Sequence, residues 1–180
     1  MHASKILSLA AMARLRRKLR AQGKRVVVTN GVFDILHVGH ISYLRKARSF
    51  GDVLVVGLNG DKSVRLLKGA LRPILPQRER AELLAALECV DHVVVFQQKR
   101  CDKLLAALQP DTYVKGGDYT LDTLDPNERR AVEHGGGKIK IVPFVRGRST
   151  TDIIGRILDR FGSRKSHCAH LDTVTVPPKS

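Results

Sequence analysis

The chain has no tryptophan and few aromatic residues of any kind, three Tyr and five Phe in 180 positions. That scarcity weighs against a surface that holds single-stranded nucleic acid by stacking bases on rings. It also leaves the interior to Val, Leu, Ile and Ala, the palette of a parallel sheet covered by helices. Cysteine is scarce too: Cys89, Cys101 and Cys168 form no CxxC pair and are odd in number. This argues against a disulfide framework and for a reducing compartment, the cytoplasm by default. No apolar run approaches the roughly 20 residues that span a bilayer, so no membrane partner is expected. Acid is absent from the start of the chain, where no Asp or Glu precedes Asp34 while Lys5, Arg14, Arg16, Arg17, Lys18, Arg20, Lys24 and Arg25 all do. Residues 6–13 are a short stretch for a signal peptide, and the basic cluster follows where a cleavage site would stand. An Arg-rich, acid-poor start also fits an organellar transit peptide, yet the same residues make a first helix with a solvated basic face.

What is present fits one globular domain, with 43% hydrophobic and 27% charged residues. The 32 Lys and Arg against 17 Asp and Glu give a net charge of +15, which attracts polyanions without naming one. The pattern predicts a basic helix over 5–22 and a buried strand over 25–29. Further strands follow near 53–58, 92–96, 111–115 and 139–142. Between them helical spacing recurs at 41–50, 61–67, 77–88, 101–108 and 126–134, with a last helix from Ser149 to about Phe161. Strands alternating with helices predict an α/β fold, a Rossmann-like doubly wound parallel sheet. The expected division is a basic N-terminal helix over 1–24, a catalytic domain over 25–162 and a tail without period over 163–180. His167, Cys168 and His170 in that tail are spaced ligands that need not bind metal.

The first strand runs into Thr29-Asn30-Gly31-Val32-Phe33-Asp34-Ile35-Leu36-His37-Val38-Gly39-His40, and a helix follows at once. In an open α/β sheet, ligands bind at the carboxyl ends of strands, where helix N-termini offer unpaired N–H groups and a partial positive charge. His37 and His40, three apart, share one face of a first helical turn and can point at one phosphate. Gly39 removes a side chain where a nucleotide approaches the backbone. Such a pair suits donation to oxygens that gain charge in phosphoryl transfer. Two readings compete: imidazoles that only satisfy loop backbone groups, and a zinc site, which the lack of a nearby Cys or third His disfavours.

Three later segments join this one: Lys68-Gly69-Ala70-Leu71-Arg72-Pro73, Val114-Lys115-Gly116-Gly117-Asp118-Tyr119 and Gly147-Arg148-Ser149-Thr150-Thr151. With the His37–His40 segment and Arg80 near the start of its helix, they resemble the cytidylyltransferase-like nucleotidyltransferase superfamily. Within it, their order over residues 15–160 is similar to the heptose 1-phosphate adenylyltransferases. The chain departs from the pattern at Phe144, where an arginine often precedes the Ser/Thr run and Arg146 or Arg148 would replace it. Ala70 stands where an acidic residue is common.

The resemblance implies AMP transfer from ATP to D-glycero-β-D-manno-heptose 1-phosphate, giving ADP-heptose and pyrophosphate for lipopolysaccharide core or a related glycan. It implies catalysis by His37, His40 and Lys68. Nucleotide contacts fall to Gly31, Val32, Phe33, His37, Gly39, His40, Lys115, Gly117, Asp118, Tyr119, Ser149, Thr150 and Thr151. Asp34, Lys68 and Arg80 take the acceptor, Arg80 by a bidentate grip on its phosphate; Asp34 could equally cap the turn. Mg²⁺ comes bound mainly through the ATP phosphates, with no dedicated protein metal site. A homodimer and a separate upstream sugar kinase are the expected partners. Two alternatives stand: a cytidylyltransferase for glycerol 3-phosphate or another alcohol phosphate, and a basic nucleic-acid-binding module. The His-containing tRNA synthetases are disfavoured because the chain has no room for tRNA-binding domains.

Overall fold

Val26, Val27 and Val28 are all fully buried, yet they belong to two different cores, because successive side chains on a strand point to opposite faces. Val27 joins Leu54, Val56, Leu58, Val93, Tyr43, Leu44, Ala47 and Leu84 on one face. Val26 and Val28 join Val55, Val94, Met12, Leu104, Leu105, Leu108 and Val132 on the other. A strand apolar on both faces is the mark of a sheet covered on both sides.

The computed structural model describes residues 4–117, 120, 122–143 and 149–162. Five strands, β1 (Val26–Gly31), β2 (Val53–Asn59), β3 (His92–Phe96), β4 (Thr112–Gly116) and β5 (Lys138–Val142), form one sheet in the order β3-β2-β1-β4-β5. Every pairing is parallel, with Asn30 opposite Gly57 and Val28 opposite Tyr113. The helices are α1 (Leu9–Ala21), α2 (Val38–Arg48), α3 (Asp61–Lys68), α4 (Gln77–Ala85), α5 (Asp102–Leu108), α6 (Pro126–His134) and α7 (Thr150–Phe161). Residues of α2 and α4 pack in the first core and those of α1, α5 and α6 in the second. The expected doubly wound α/β sheet is therefore present. The 163–180 segment, with His167, Cys168 and His170, lies outside the described residues. None of the described helices is long and apolar enough to cross a membrane.

Two expected boundaries move. The first helix starts at Leu9, not residue 5, because Ser8 caps it: its Oγ accepts from the Ala11 N–H at 3.2 Å. Residues 5–7 instead run along the outer edge of β3, where the Val93 N–H donates to the Lys5 carbonyl and the Leu7 N–H to the Val93 carbonyl, each at 2.9 Å. They cover an edge that would otherwise be open to another chain. The helix expected over 77–88 ends at Ala85, and the turn beyond it brings Asp91 back to accept from the Leu54 N–H at 2.7 Å.

One member of the basic cluster is not on a solvated face. Arg16 is 3% exposed; its guanidinium donates to the carbonyls of Leu108 and Gln109 and pairs with Asp111 at 3.0 Å. It thereby ties α1 to the turn between α5 and β4.

Candidate active site

Strand order reverses between β1 and β4, so their carboxyl ends diverge and leave a crevice. A cleft of about 770 Å³ opens there. Its floor comes from the end of β1 (Asn30 to Asp34) and of β4 (Lys115, Gly116), and its walls from His40, Lys68, Arg72, Lys99, Arg100, the 122–126 segment and Thr150–Thr151.

His37 is the N-cap of α2, with extended backbone, and His40 lies in the first turn. Their rings stack with centroids 3.8 Å apart and planes 22° from parallel. Phe33 meets the His40 ring edge-on at 5.2 Å. It holds a left-handed backbone, φ 45°, unusual for a bulky residue. Gly31 makes room for that arrangement, since a Cβ there would come within 2.8 Å of the Phe33 ring. Burial, and then the neighbouring His37 charge, push the His40 imidazole down to about 4. At neutral pH it is an uncharged ring whose Nδ1 is buried without a hydrogen-bond partner among the described residues. His40 lines the cleft with Gly31, Val32 and Phe33; His37, stacked on His40, is not among the described residues that line it, and Gly39 is buried within the first turn.

On the β2 side, Lys68 closes α3 rather than standing in the loop after it, and is exposed at the cleft rim. No ion pair reaches it among the described residues. Asp34 is 1% exposed and holds the following loop down. It accepts from Arg72 Nε at 2.6 Å and from the backbone N–H groups of Ile74 and Leu75 at 2.8 and 3.0 Å. Burial alone would raise this carboxyl, but the two backbone N–H groups and the Arg72 guanidinium hold it below the usual range. It fastens a loop 38 residues away rather than its own turn.

Arg80 requires a correction. It is 0% exposed and absent from the cleft wall. Nη1 donates to the carbonyls of Val32 and Asn59 at 2.6 and 2.8 Å, Nε to that of Leu75 at 2.9 Å, and Nη2 to Asp61 at 2.7 Å. A guanidinium so engaged is not open to a substrate phosphate. It clamps the ends of β1 and β2 to α3 and α4, and so shapes the cleft from behind.

On the β4 side, Lys115 Nζ donates to Asn30 Oδ1 at 3.2 Å, Tyr113 Oη at 3.1 Å and Glu128 Oε2 at 3.0 Å. Glu128, 4% exposed, comes from the first turn of α6, whose N-cap Asp125 accepts from its backbone N–H. Burial would raise its carboxyl; Lys115, by charge and hydrogen bond, brings it below the ordinary value. Gly117 has φ 113°, open to glycine, and its N–H is taken by the Val142 carbonyl at 3.0 Å. Asp118 and Tyr119, with Phe144, Arg146 and Arg148, lie outside the described residues. Ser149 caps α7, its Oγ accepting from the Asp152 N–H at 3.0 Å, while Thr150 and Thr151 face the cleft.

Asn30, Arg72, Tyr113 and Glu128 join the site beyond the expected residues. Asn30 and Arg72 stand inside the first two motifs, and that placement is their signal in the sequence; Tyr113 and Glu128 carry none. Among the described residues, no three His, Cys, Asp or Glu side chains gather as a ready-made metal site.

A cleft at the switch point of a parallel sheet, with paired imidazoles at one helix start and hydroxyls at another, defines a phosphate-handling enzyme of the Rossmann type. Residues 28–161 match the family model described as cytidylyltransferase-like, and the chain belongs to that family of nucleotidyltransferases. It is 54% identical over 159 residues to the bifunctional protein HldE of Geobacter sulfurreducens, covering 88% of this chain and 32% of that relative. The HldE protein of Geotalea uraniireducens is 53% identical over 162 residues, covering 90% and 32%. The chain thus spans about a third of the length of these relatives. Among solved structures, the lipopolysaccharide core biosynthesis protein of Thermoplasma volcanium aligns with a TM-score of 0.57 and 31% identity, over 70% of this chain and all of that one. A pantoate-β-alanine ligase from Francisella tularensis, complexed with a form of ATP and β-alanine, shares the fold alone, with a TM-score of 0.52 at 17% identity over 87% of this chain and 78% of that one.

Proposed function

We propose that this chain transfers AMP from ATP to D-glycero-β-D-manno-heptose 1-phosphate, releasing pyrophosphate and forming ADP-heptose. The observation that carries the transfer chemistry is the His37–His40 stack at the start of α2, beside a cleft lined by Lys68, which makes no ion pair among the described residues. The acceptor assignment is supported by the ordered motifs at Lys68, Lys115 and Ser149. A 31% identical neighbour named for lipopolysaccharide core biosynthesis supports it further.

An oxygen of the sugar phosphate attacks the α-phosphorus of ATP in line, the new P–O bond forming as the bond to the pyrophosphate oxygen breaks. A phosphate monoester with a second pKa of about 6 is largely ionised at neutral pH, so no strong base is needed. Catalysis is then positioning and charge stabilisation. His40 donates to the reacting phosphate, and His37 orients the His40 ring. Lys68 holds a phosphate as a mobile point charge, and Thr150 and Thr151 offer backbone N–H groups at the α7 start. Mg²⁺, where it arrives with the nucleotide, would supply charge neutralisation.

A pyrophosphate-release panel of ATP and CTP, each with heptose 1-phosphate and glycerol 3-phosphate, tests this. Release with ATP and the heptose is expected; release with CTP and glycerol 3-phosphate selects the other acceptor. We further propose a homodimer, to be weighed by sedimentation, a cytoplasmic location, and a sugar kinase that supplies the 1-phosphate.

A further inference from the structure

Asn30 is the penultimate residue of β1, at the point where the sheet order reverses, and it lines the cleft. Its carboxamide has two unlike ends, and the surrounding groups decide which end faces where. Lys115 Nζ lies 3.2 Å from Oδ1, and Tyr113 Oη lies 2.7 Å from the same atom. An ammonium has three donors and no lone pair, so the amide atom that meets it must be the oxygen. Tyr113 has one proton to give, which Asn30 and Glu128 both seek, but Lys115 fixes the amide whichever takes it. Lys115 is in turn fixed by Glu128 at 3.0 Å, a buried ion pair on the cleft floor. Burying such a pair is costly unless geometry or function repays it. On the neighbouring strand Gly57 lies opposite Asn30, and a Cβ there would press on Leu104 Cδ1 at 3.3 Å.

With Oδ1 turned to the protein, the Nδ2 group is left to the cleft. No hydrogen bond to Nδ2 occurs among the described residues, and it is not among the buried polar atoms lacking a partner, so it is open to solvent. We infer that Asn30 contacts the nucleotide: held from behind by Lys115 and Tyr113, it presents a fixed pair of N–H donors to an acceptor atom, a phosphoryl oxygen or a ring nitrogen. The nucleotide is favoured over the acceptor sugar because Asn30 is hydrogen-bonded to Lys115 at the end of β4, while Lys68 comes from α3 and Arg72 from the loop after it. This rests on the nucleotide reading of the cleft given above.

Asn30→Asp separates a ligand contact from a structural role. The carboxylate keeps the shape and still accepts from Lys115 and Tyr113, while both donors to the cleft are lost and a negative charge is gained. Asn30→Ala, which loses the donors without adding that charge, is measured beside it and must weaken nucleotide binding as well. The test is calorimetric binding of Mg²⁺ with α,β-methylene ATP to the full chain, alongside KM for ATP and for the acceptor. The expected result is nucleotide binding and KM for ATP weakened about tenfold or more, as for loss of a donor to a buried acceptor, with KM for the acceptor within about twofold. Equal binding by wild type and Asn30→Asp, or a rise confined to the acceptor KM, overturns the inference. In the unaltered protein, the Asn30 side-chain NH₂ resonance should shift and exchange more slowly with solvent when the analogue saturates; an unmoved resonance overturns the inference without any variant. Tripolyphosphate alone weakened by Asn30→Asp identifies a phosphoryl oxygen, and weakening seen only with the nucleoside present identifies the base. A wild-type chain that binds no nucleotide overturns the parent reading and this one with it, whereas wild-type binding matched by Asn30→Asp removes this one alone.

Discussion

The imidazoles of His37 and His40 stack at 3.8 Å, with the edge of Phe33 5.2 Å from the His40 ring. Burial disfavours the charged ring, and the stacked His37 imidazole adds its repulsion, which is why His40 is pushed down to about 4. An anion placed against them reverses the balance, since a nearby negative charge favours the protonated ring. Adding pyrophosphate with Mg²⁺ should therefore raise the His40 pKa in an NMR titration. A titration curve unmoved by saturating pyrophosphate would remove His40 from the phosphate site.

The same depression has a consequence for stability. His40 binds a proton less readily folded than unfolded, so protons favour the unfolded chain between its usual value of 6.5 and about 4. Stability is intact above 6.5 and falls as pH drops through that window. Denaturant unfolding at pH 7.5 and pH 5 should show a smaller loss for His40→Asn than for wild type, the contributions of Asp34 and His92 being common to both.

Replacing His40 by Ala should lower turnover by about 100-fold or more, the usual effect of deleting one transition-state donor, while the thermal midpoint changes little. Steady-state pyrophosphate release on the folded variant measures it.

Arg80 makes the opposite kind of prediction. Removing it leaves Asp61 and three backbone carbonyls without their donor in a buried setting, so Arg80→Ala should cost about 3–5 kcal/mol of stability. A variant with wild-type stability and only a raised acceptor KM would restore Arg80 to the acceptor phosphate.

Asp34 holds the backbone N–H groups of Ile74 and Leu75. Asp34→Ala should let both amides exchange hydrogen much faster and expose the 69–75 loop to protease. Because folding lowers the Asp34 pKa, its hold is present above the unfolded carboxyl range and is lost as pH falls through its folded value. Unaltered protection of Ile74 and Leu75 in the variant contradicts the latch.

The alternation of strands and helices was legible because both faces of Val26–Val28 are apolar and the period changes sharply at Gly23 and Gly51. The crevice was legible too, since the His37–His40 segment follows a strand. What the sequence did not reveal is set by contacts between distant positions. Arg80 reads as a surface residue near a helix start until Val32 and Asn59 are seen beneath it, 48 and 21 positions away. Glu128 sits in a plain amphipathic helix, and only the fold brings it to Lys115 and Tyr113. At the N-terminus, helical spacing from residue 5 was a true local preference outcompeted by the open edge of β3.

The most direct test of the account is pyrophosphate release by the purified chain with ATP and D-glycero-β-D-manno-heptose 1-phosphate, set against CTP with glycerol 3-phosphate. The account predicts release and ADP-heptose from the first pair, with both slowed about 100-fold or more in His40→Ala. Release from CTP with glycerol 3-phosphate alone, or turnover untouched by His40→Ala, would contradict it.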